Sequence, residues 1–377
     1  MTQPNSRILL FGATGYTGRI TAQLLTQSGA APVLVGRNES ALAQMVKELG
    51  ETSPAGRKPS FELADATAPD SVRALLHSQD DVLISTVGPF ARLGQAAVDA
   101  VIDAGAAYVD CSGEPSFIRE MFEVQGPRAL RTGARLLPAM GYDYAPGNLA
   151  GALLLSRSPA SYTGVDIGYF VRGPYTASSG TMGTMGQIML DPSYVFRGGE
   201  LHQVRTGSQV QTFQFDERER DAVSMGGTEQ FTLPVLDPAL QDVNVFVGWA
   251  GRWSKAASAA GALTSNALHL PGVGQAMGLV MRAALGGVSD RGPAPHLRNK
   301  ATSLVIAEGR DPDGEVTGRV TLHGPNPYDL TGQLLAWSAR MLSRRADKQA
   351  GTLGPVSAFG LDAYVAGCMA LGLAQTD

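Results

Sequence analysis

Three glycines near the start of the chain have the spacing of a phosphate-binding turn. Gly12, Gly15 and Gly18 are each separated by two residues, and they follow the apolar run Ile8–Phe11. Glycine permits a tight turn and lets the backbone approach a pyrophosphate, while the first N–H groups of a following helix point at the phosphates. The pattern predicts a dinucleotide-binding turn, whose other members are Thr14, Tyr16 and Thr17.

Arg37 ends the second predicted strand, where it would meet the adenosine half of the dinucleotide. An acidic residue at this place holds the ribose 2′-hydroxyl of NAD, whereas an arginine accommodates the 2′-phosphate of NADP. Arg37, with Asn38 beside it, therefore favours NADP(H). Arg37 could instead be a solvated loop residue, and the nearby Glu39 weakens the distinction between the two cofactors.

Later strand ends add candidate cofactor contacts, because ligands of a parallel sheet bind outside the carboxyl ends of its strands. Asp65 ends one strand and is expected near the adenine. The next strand leads into a loop expected under the ribose and the nicotinamide, formed by Thr86, Val87, Gly88, Pro89 and Phe90. The alternative for this loop is an ordinary turn, since glycine and proline are both common in loops.

The segment Asp110–Glu114 contains two carboxylates, a thiol and a hydroxyl. We expect Ser112 and Gly113 to contact the cofactor, and Glu114 to contact the substrate or the nicotinamide side. The alternative is that the acidic residues cap the helix that follows. Cys111 has no histidine paired with it in the sequence pattern, which favours a buried thiol over a nucleophile.

Tyr142, Asp143 and Tyr144 are the candidate catalytic residues, because they lie where the first predicted domain gives way to the second. Hydride transfer to a C=C, C=N or C=O bond requires a proton donor, and a tyrosine or a carboxylate with a raised pKa can serve. Either tyrosine could donate directly, with Asp143 as a relay. Packing at a hinge is the alternative role for all three residues. The Tyr-x-x-x-Lys pair of short-chain dehydrogenases is not evident.

Strands and helices alternate through residues 1–145, which predicts an α/β fold with a Rossmann-type doubly wound parallel sheet. Over residues 146–326 the sequence pattern predicts a second, α+β domain. Its mixed sheet is expected to be largely antiparallel, with about six strands. Its expected strands are Val165–Arg172, Val204–Phe215, Thr228–Leu236, Val243–Gly248 and a hairpin of Thr302–Gly309 with Gly314–Leu322. Residues 327–377 are expected to form two helices, Tyr328–Arg345 and Val356–Leu373, that pack back on the first domain.

Composition narrows the class of protein. The 377 residues carry a formal net charge of −4, which is not the basic footprint of a nucleic-acid-binding protein. Two distant cysteines and scattered histidines indicate neither a disulfide framework nor a metal site. No apolar stretch has the length of a membrane span and no signal peptide is evident, which predicts a cytoplasmic location. The apolar segment Ala256–Leu285 could serve a homodimer interface, a carrier protein or a lipid.

The chain resembles the saccharopine dehydrogenase-like superfamily, nearest the branch of the trans-acting enoyl reductases of actinobacteria. The motifs that carry the resemblance are Gly12–Gly18, Ser85–Phe90, Tyr108–Glu114 and Gly141–Pro146, in that order. The resemblance implies an NADP-dependent oxidoreductase. It also implies that a loop of the second domain contacts the substrate through Tyr175, Ser179, Thr181 and Met182. Ser179 could instead cap a helix that starts at Thr181.

The chain departs from that branch at Tyr144, where the branch has serine, and at Asn148, where it has aspartate. Few lysines are available for the carboxylates of a dicarboxylic amino acid. The leading hypothesis is an NADPH-dependent reductase acting on a polarised enoyl or imine double bond of an apolar small molecule or carrier-bound acyl substrate. The alternatives are an oxidoreductase acting on C–N bonds of amines or amino acids, and a non-catalytic NADP(H)-binding partner protein.

Overall fold

The computed structural model describes residues 6–54, 57–158, 161–173, 178, 188, 191–248, 292, 298–344 and 349–376. The chain divides into two compact units, each containing its own β-sheet. The first unit consists of Met1–Gly113, Phe117–Ala145 and Tyr328–Leu371. The second unit consists of Glu114–Ser116, Pro146–Pro327 and Gly372–Asp377.

The first unit is built on a seven-stranded sheet in which every pairing is parallel. Its strands are β1 (Ile8–Phe11), β2 (Val33–Gly36), β3 (Ser60–Leu63), β4 (Val82–Ser85), β5 (Ala107–Asp110), β6 (Arg135–Leu137) and β15 (Gly351–Thr352). Their order is β15-β6-β5-β4-β1-β2-β3, which contains the strand order of a dinucleotide-binding sheet. Strands β1, β4 and β5 are buried along their whole length, as expected when both faces are covered. The predicted doubly wound sheet is confirmed.

Helices follow most strands of the first unit, and the second unit also contains helices. In chain order the helices are α1 (Tyr16–Gln27), α2 (Glu39–Thr52), α3 (Pro69–Arg73), α4 (Phe90–Leu93), α5 (Gln95–Ala104), α6 (Pro115–Glu120), α7 (Gly126–Thr132), α8 (Ala145–Arg157), α9 (Glu229–Leu236), α10 (Pro327–Leu342), α11 (Pro355–Phe359) and α12 (Leu361–Ala370). The predicted last helix is therefore broken in two. The break lies at Gly360, whose φ of +80° is incompatible with a continuous helix.

The second unit is built on a nine-stranded mixed sheet. Its strands are β7 (Gly164–Arg172), β8 (Pro192–Arg197), β9 (Glu200–Arg205), β10 (Val210–Phe215), β11 (Arg218–Ser224), β12 (Asp242–Val247), β13 (Thr302–Arg310), β14 (Val316–Gly324) and β16 (Ala374–Thr376). The main path is β10-β11-β12-β7-β13-β14-β16, with β8 pairing to β12 and β9. Strand β12 runs parallel to β7, and the other described pairings are antiparallel. The predicted mixed, largely antiparallel sheet and its β13–β14 hairpin are confirmed.

Two strand predictions for the second unit are wrong. Thr228–Leu236 forms helix α9 instead of a strand, and its buried Glu229, Gln230 and Leu233 recur at helical spacing. A short run with several apolar residues does not distinguish the two structures by periodicity alone. The predicted strand Val204–Phe215 is two strands, because the chain turns at Gly207 with a φ of +67°. With nine strands, the sheet is also larger than the six expected.

Candidate functional site

The glycine turn leaves β1 and enters α1 with little room for side chains. Gly12 has a φ of +86°, and its N–H donates to the carbonyl of Val35 over 2.9 Å. A Cβ atom on Gly12 would lie 2.6 Å from Oγ1 of Thr86, and one on Gly18 would lie 2.2 Å from the carbonyl oxygen of Gly12. Both glycines are therefore required by the packing of the turn itself.

Gly15 has a different environment, since a Cβ atom there would meet a single described atom within 4 Å, the Gly12 oxygen at 3.2 Å. Gly15 is exposed and precedes α1, which has no side-chain cap hydrogen bond and no acidic residue in its first turn. Such a helix start presents N–H donors and the positive end of the helix dipole. This region fits the pyrophosphate of a dinucleotide, because the backbone at Gly15 is exposed, the space at its Cβ position is largely open, and the start of α1 is uncapped.

The remaining residues of the turn are half-buried and differ in their contacts. The Thr14 carbonyl accepts from Nε of Arg19 over 3.1 Å, and the Thr17 carbonyl accepts from the Thr21 hydroxyl over 2.9 Å. The Tyr16 ring packs edge-on against Tyr328, with 4.9 Å between the ring centres. Helix α10 thus reaches the start of α1, a contact that the glycine motif does not indicate.

Three polar side chains of the predicted adenosine side, Arg37, Asn38 and Asp65, differ in the partners they already have. Arg37 is exposed and forms no salt bridge with any residue that the structure describes. Oδ1 of Asn38 accepts from the N–H of Ala41 over 3.0 Å and so caps α2. Oδ1 of Asp65 accepts from the N–H and the hydroxyl of Thr67 over 2.8 and 2.7 Å, and these two bonds lower the pKa of Asp65. Arg37 is therefore the side chain of the three most available to a ligand.

The loop after β4 combines a structural half and an exposed half. Oγ1 of Thr86 donates to the carbonyls of Phe11 and Gly12, both over 3.1 Å, and so ties this loop to the glycine turn. Gly88 is exposed and joins Pro89 through a cis peptide bond. Phe90 is 6% exposed and packs against Phe117, with 5.7 Å between ring centres. Thr86, Val87 and Gly88 thus remain as candidate cofactor contacts, whereas the Phe90 ring belongs to the core.

Asp110 joins the carboxyl ends of β5 and β6. Its Oδ1 accepts from the N–H groups of Ser112 and Ala139, both over 2.8 Å, and its carbonyl accepts from Met140 over 2.7 Å. Burial raises the pKa of the neighbouring Cys111 thiol well above its ordinary value, which fits the expected unreactive thiol. Glu114 is fully buried and directly precedes α6. The segment Asp110–Glu114 is thus chiefly a scaffold for the loop.

The turn that contains the three candidate catalytic residues is anchored on several sides within the first unit. The N–H of Tyr142 donates to Oγ1 of Thr331 over 2.9 Å, and the hydroxyl of Tyr144 donates to the Gly113 carbonyl over 3.3 Å. The carbonyl of Ala145 accepts from the Tyr364 hydroxyl over 2.6 Å. Tyr144 is buried with a φ of +84°, a conformation that costs an L-residue free energy and that the anchors maintain.

Asp143 has the most unusual environment of the three. Its Oδ1 is buried and has no hydrogen-bond partner among the residues that the structure describes. Burial raises the pKa of this carboxyl from an ordinary value of 3.8 to about 7. The group can therefore hold or release a proton near neutral pH, which is the property that a general acid or a proton relay needs.

Helix α10 brings the two halves of this site together. Its Tyr328 packs on Tyr16 of α1, and its Thr331 accepts from Tyr142 in the turn of the candidate catalytic residues. A Cβ atom on the intervening Gly332 would lie 2.6 Å from Cγ2 of Ile20, so α10 lies directly against α1. In the sequence, these contacts of α10 are indicated only by the short segment Tyr328–Thr331, which follows the second predicted domain. The glycine turn and Asp143 are thus held by one helix.

A second group of buried polar residues lies in the second unit. The Tyr169 hydroxyl donates to Oε1 of Glu229 over 2.5 Å and accepts from the N–H of Gly147 over 2.9 Å. Nδ2 of Asn148 donates to Oγ1 of Thr228 over 2.8 Å. This network fixes the first turn of α8. It was not predicted from the sequence, because Glu229 lies in the segment Thr228–Leu236, for which the sequence predicts a strand. The predicted substrate residues Tyr175, Ser179, Thr181 and Met182, like the segment Ala256–Leu285, lie outside the described residues.

Among the residues with a described position, no three His, Cys, Asp or Glu side chains are grouped so as to hold a metal ion. In the same part of the chain, the helices are too short or too polar to cross a membrane.

The chain resembles known proteins in part of its sequence and in its fold. Residues 8–136 match the family model described as the saccharopine dehydrogenase NADP binding domain. The trans-acting enoyl reductase of Mycobacterium bovis is 36% identical over 159 residues, which are 42% of this chain and 37% of that protein. The trans-acting enoyl reductase of Mycobacterium leprae is 35% identical over 144 residues, 38% of this chain and 34% of that protein. The aligned part spans about a third of the length of these relatives.

A solved structure resembles nearly the whole chain. The crystal structure of homospermidine synthase from Legionella pneumophila, in complex with NAD, covers 99% of this chain and 92% of its own, with a TM-score of 0.61 and 10% identity. At this identity the likeness shows the fold alone. It supports the two-sheet architecture, while the family match supports the dinucleotide site built from Gly12, Gly15 and Gly18.

Proposed function

Because residues 8–136 match the family model of the saccharopine dehydrogenase NADP binding domain, we propose that this chain is an NADPH-dependent reductase. Its substrate is a polarised double bond, enoyl or imine, in a fairly apolar small molecule or carrier-bound acyl group. The observation that carries this proposal is Asp143, a carboxyl of raised pKa in a turn that α10 holds beside the dinucleotide-binding helix.

The residues of the first unit supply the binding part of the reaction. The exposed Gly15 and the uncapped start of α1 hold the pyrophosphate, and Arg37 holds the 2′-phosphate that distinguishes NADPH from NADH. Thr86, Val87 and Gly88 support the ribose and nicotinamide half. The bound cofactor supplies a hydride, and the protein supplies orientation, exclusion of water and a proton.

The proton comes from the turn after β6. Asp143 is protonated in a substantial fraction of molecules at neutral pH, so it delivers a proton to the substrate atom that becomes electron-rich after hydride addition. Tyr142 and Tyr144 flank it, and the bond from Tyr144 to the Gly113 carbonyl keeps the turn in place. Both tyrosines are nearly or fully buried, which keeps water away from the carboxyl.

The enoyl substrate is preferred to the imine because of the relatives. Trans-acting enoyl reductases match 38 and 42% of this chain at 35 and 36% identity. The substitutions relative to that branch, Tyr144 and Asn148, place a larger and a less acidic side chain beside the proton donor and at the start of α8. We therefore expect the acyl chain accepted by this protein to differ from those of its relatives.

The test is oxidation of NADPH, followed by its absorbance, with panels of enoyl thioesters and cyclic imines. Asp143→Asn should lower kcat about 100- to 10,000-fold while leaving the Kd for NADPH unchanged. The matched control is Asp103→Asn, which removes an exposed carboxyl paired with Arg73 in the same unit. Bound NADPH that no substrate of either class oxidises would contradict the proposal, and so would an Asp143→Asn protein with unchanged turnover.

A further inference from the structure

The β10–β11 hairpin of the second unit leaves the sheet and folds over one of its faces. Strand β11 pairs with β12 only through Val223 and Ser224, at the base of the hairpin. Further out, Phe213 and Phe215 of β10 pack on Phe170 of β7, with ring centres 5.5 and 4.7 Å apart. The hairpin thus lies across an aromatic face of its own sheet, although β11, β12 and β7 are successive neighbours in the strand order.

Two contacts hold the tip of the hairpin in this position. Asp216, at the tip, forms a 2.6 Å salt bridge with Arg172 of β7. Arg319 of β14 donates to the main-chain carbonyl of Gln214. The guanidinium of Arg172 also lies over the Phe215 ring, 5.9 Å from its centre. The tip is therefore fixed above strands that are distant from it in the sheet.

The alternation of β11 separates its charges between the two faces of the hairpin. Glu219 and Asp221 point to the outer face, where they accept hydrogen bonds from Gln214 over 3.3 Å and from Thr212 over 2.7 Å. The opposite, inner face carries Arg218 and Arg220, which stand across the strand pair from Phe215 and Phe213. Glu219 and Asp221 thus bond to neighbours on the outer face, whereas Arg218 and Arg220 lie on the inner face.

The inner face contains a pocket. Its volume is about 290 Å³, and it is lined by Phe215, Asp216, Arg218 and Arg220. Both arginines are exposed and form no salt bridge with a residue whose position is described. Asp216 is the acidic group of the lining, and Arg172 already pairs with it. Nε of Arg172 is buried without a described hydrogen-bond partner, which adds a further donor beside the pocket.

Two further side chains that can donate hydrogen bonds, Arg172 and His323, lie next to the pocket lining. His323 of β14 lies 3.4 Å from Nη1 of Arg172, and its pKa is lowered first by burial and then by that arginine. A neutral imidazole is the form favoured by burial next to a guanidinium. The pocket therefore combines donors for an anion with the apolar surface of an aromatic ring.

We propose that this pocket binds a phosphate ester, with the phosphate on Arg218 and Arg220 and the organic part against Phe215. Guanidinium groups match the geometry of phosphate oxygens and bind them with two parallel hydrogen bonds. Two adjacent arginines suit the double charge of a phosphate monoester better than the single charge of a carboxylate. This site lies wholly in the second unit and is separate from the dinucleotide-binding turn.

The experiment is a calorimetric titration of the full chain with phenyl phosphate, after saturation with NADP⁺ so that the dinucleotide site does not contribute. We expect binding that weakens as salt is added, and about a tenfold or greater loss of affinity in the Arg218→Ala/Arg220→Ala double variant. Arg197→Ala, which removes another exposed arginine of the second unit, should bind as the unmodified chain does. Phenol should not bind, and inorganic phosphate should bind more weakly than phenyl phosphate.

Two results would overturn the proposal. One is the absence of phenyl phosphate binding to the unmodified chain at millimolar concentration. The other is equal affinity in the double variant and in Arg197→Ala, which would place the ligand elsewhere. Circular dichroism of the double variant separates loss of the site from loss of the fold, and Phe215→Leu gives a second test. It keeps both arginines, and it should reduce the affinity for phenyl phosphate but not for inorganic phosphate.

Discussion

The strand ends at the candidate site of the first unit and strand β7 of the second unit satisfy their buried polar side chains in different ways. In the first, Asp110 and Thr86 bond to backbone atoms at the ends of neighbouring parallel strands. In the second, polar side chains bond to one another, as in the Tyr169–Glu229 pair and in Asp166, which accepts from Nε of Arg310 over 2.7 Å. A backbone partner is available whatever the neighbouring residue type, whereas a side-chain pair needs both members.

This difference predicts where each unit is vulnerable. Because parallel strands present their carboxyl ends at one edge, the first unit can build its site from short loops. The residue types allowed in those loops are limited by the space around the backbone and by its conformation. The second unit depends on residues far apart in the chain, and Tyr169 and Glu229 are 60 positions apart. Substitutions at the strand ends of the first unit should therefore change ligand binding, whereas those in the buried network of the second should change stability without changing ligand binding.

The largest effect is expected from Gly18→Ala. The added Cβ would lie 2.2 Å from the Gly12 oxygen and 2.9 Å from Cα of Ala13, and these backbone atoms cannot move without opening the turn. We expect a loss of about 3 kcal/mol in the free energy of unfolding, measured with urea, and loss of NADP(H) binding. Gly50→Ala is the control, since no atom lies within 4 Å of its Cβ position in α2. An unchanged affinity for NADPH would contradict the assigned role of the turn.

Asp143→Asn tests a functional residue through stability instead of rate. The folded chain holds a proton on Asp143 up to a pH of about 7, while the unfolded chain loses it above about 3.8. The carboxyl therefore makes the protein less stable as the pH rises from 4 to 7, and the asparagine variant lacks this decline. At pH 8 the variant should be more stable than the unmodified chain by about 1–3 kcal/mol, the cost of a buried group without a partner. Equal pH dependence in urea unfolding would show that Asp143 is solvated.

Tyr169→Phe tests the corresponding dependence in the second unit. Loss of the hydroxyl removes the acceptor of the Gly147 N–H and the donor to Glu229, which is fully buried. The free energy of unfolding should fall by about 1–2 kcal/mol, with no change in NADPH affinity. In a double-mutant cycle with Glu229→Gln the two effects should be less than additive, because both changes break the same contact. Full additivity would show that the pair does not act together.

The same contrast explains which features the sequence could predict. The glycine turn and its parallel sheet were predictable, because the residues at the strand ends contact backbone atoms. Such atoms are present whatever the type of the neighbouring residue. Helix α9 was not, since the buried Glu229 bonds to a hydroxyl 60 residues earlier in the chain, and nothing in a short apolar run indicates that partner. Asn38 caps α2, and its position before Glu39 and Ser40 is itself a capping signal, while its predicted contact with the cofactor stays a prediction. Roles within one loop were thus predictable, and pairings between distant side chains were not.

Arg37→Ala is expected to have the smallest effect and gives the most selective test of the first unit. Arg37 is exposed and lacks a described salt bridge, so its removal should leave the free energy of unfolding within about 0.5 kcal/mol of its original value. Affinity for NADPH should fall about tenfold, or 1.4 kcal/mol, because the 2′-phosphate loses its cation. Affinity for NADH should remain unchanged, since it has no such group. A parallel loss for both cofactors in a fluorescence titration would mean that Arg37 contacts the shared pyrophosphate, and the preference for NADPH would then have to reside in another residue.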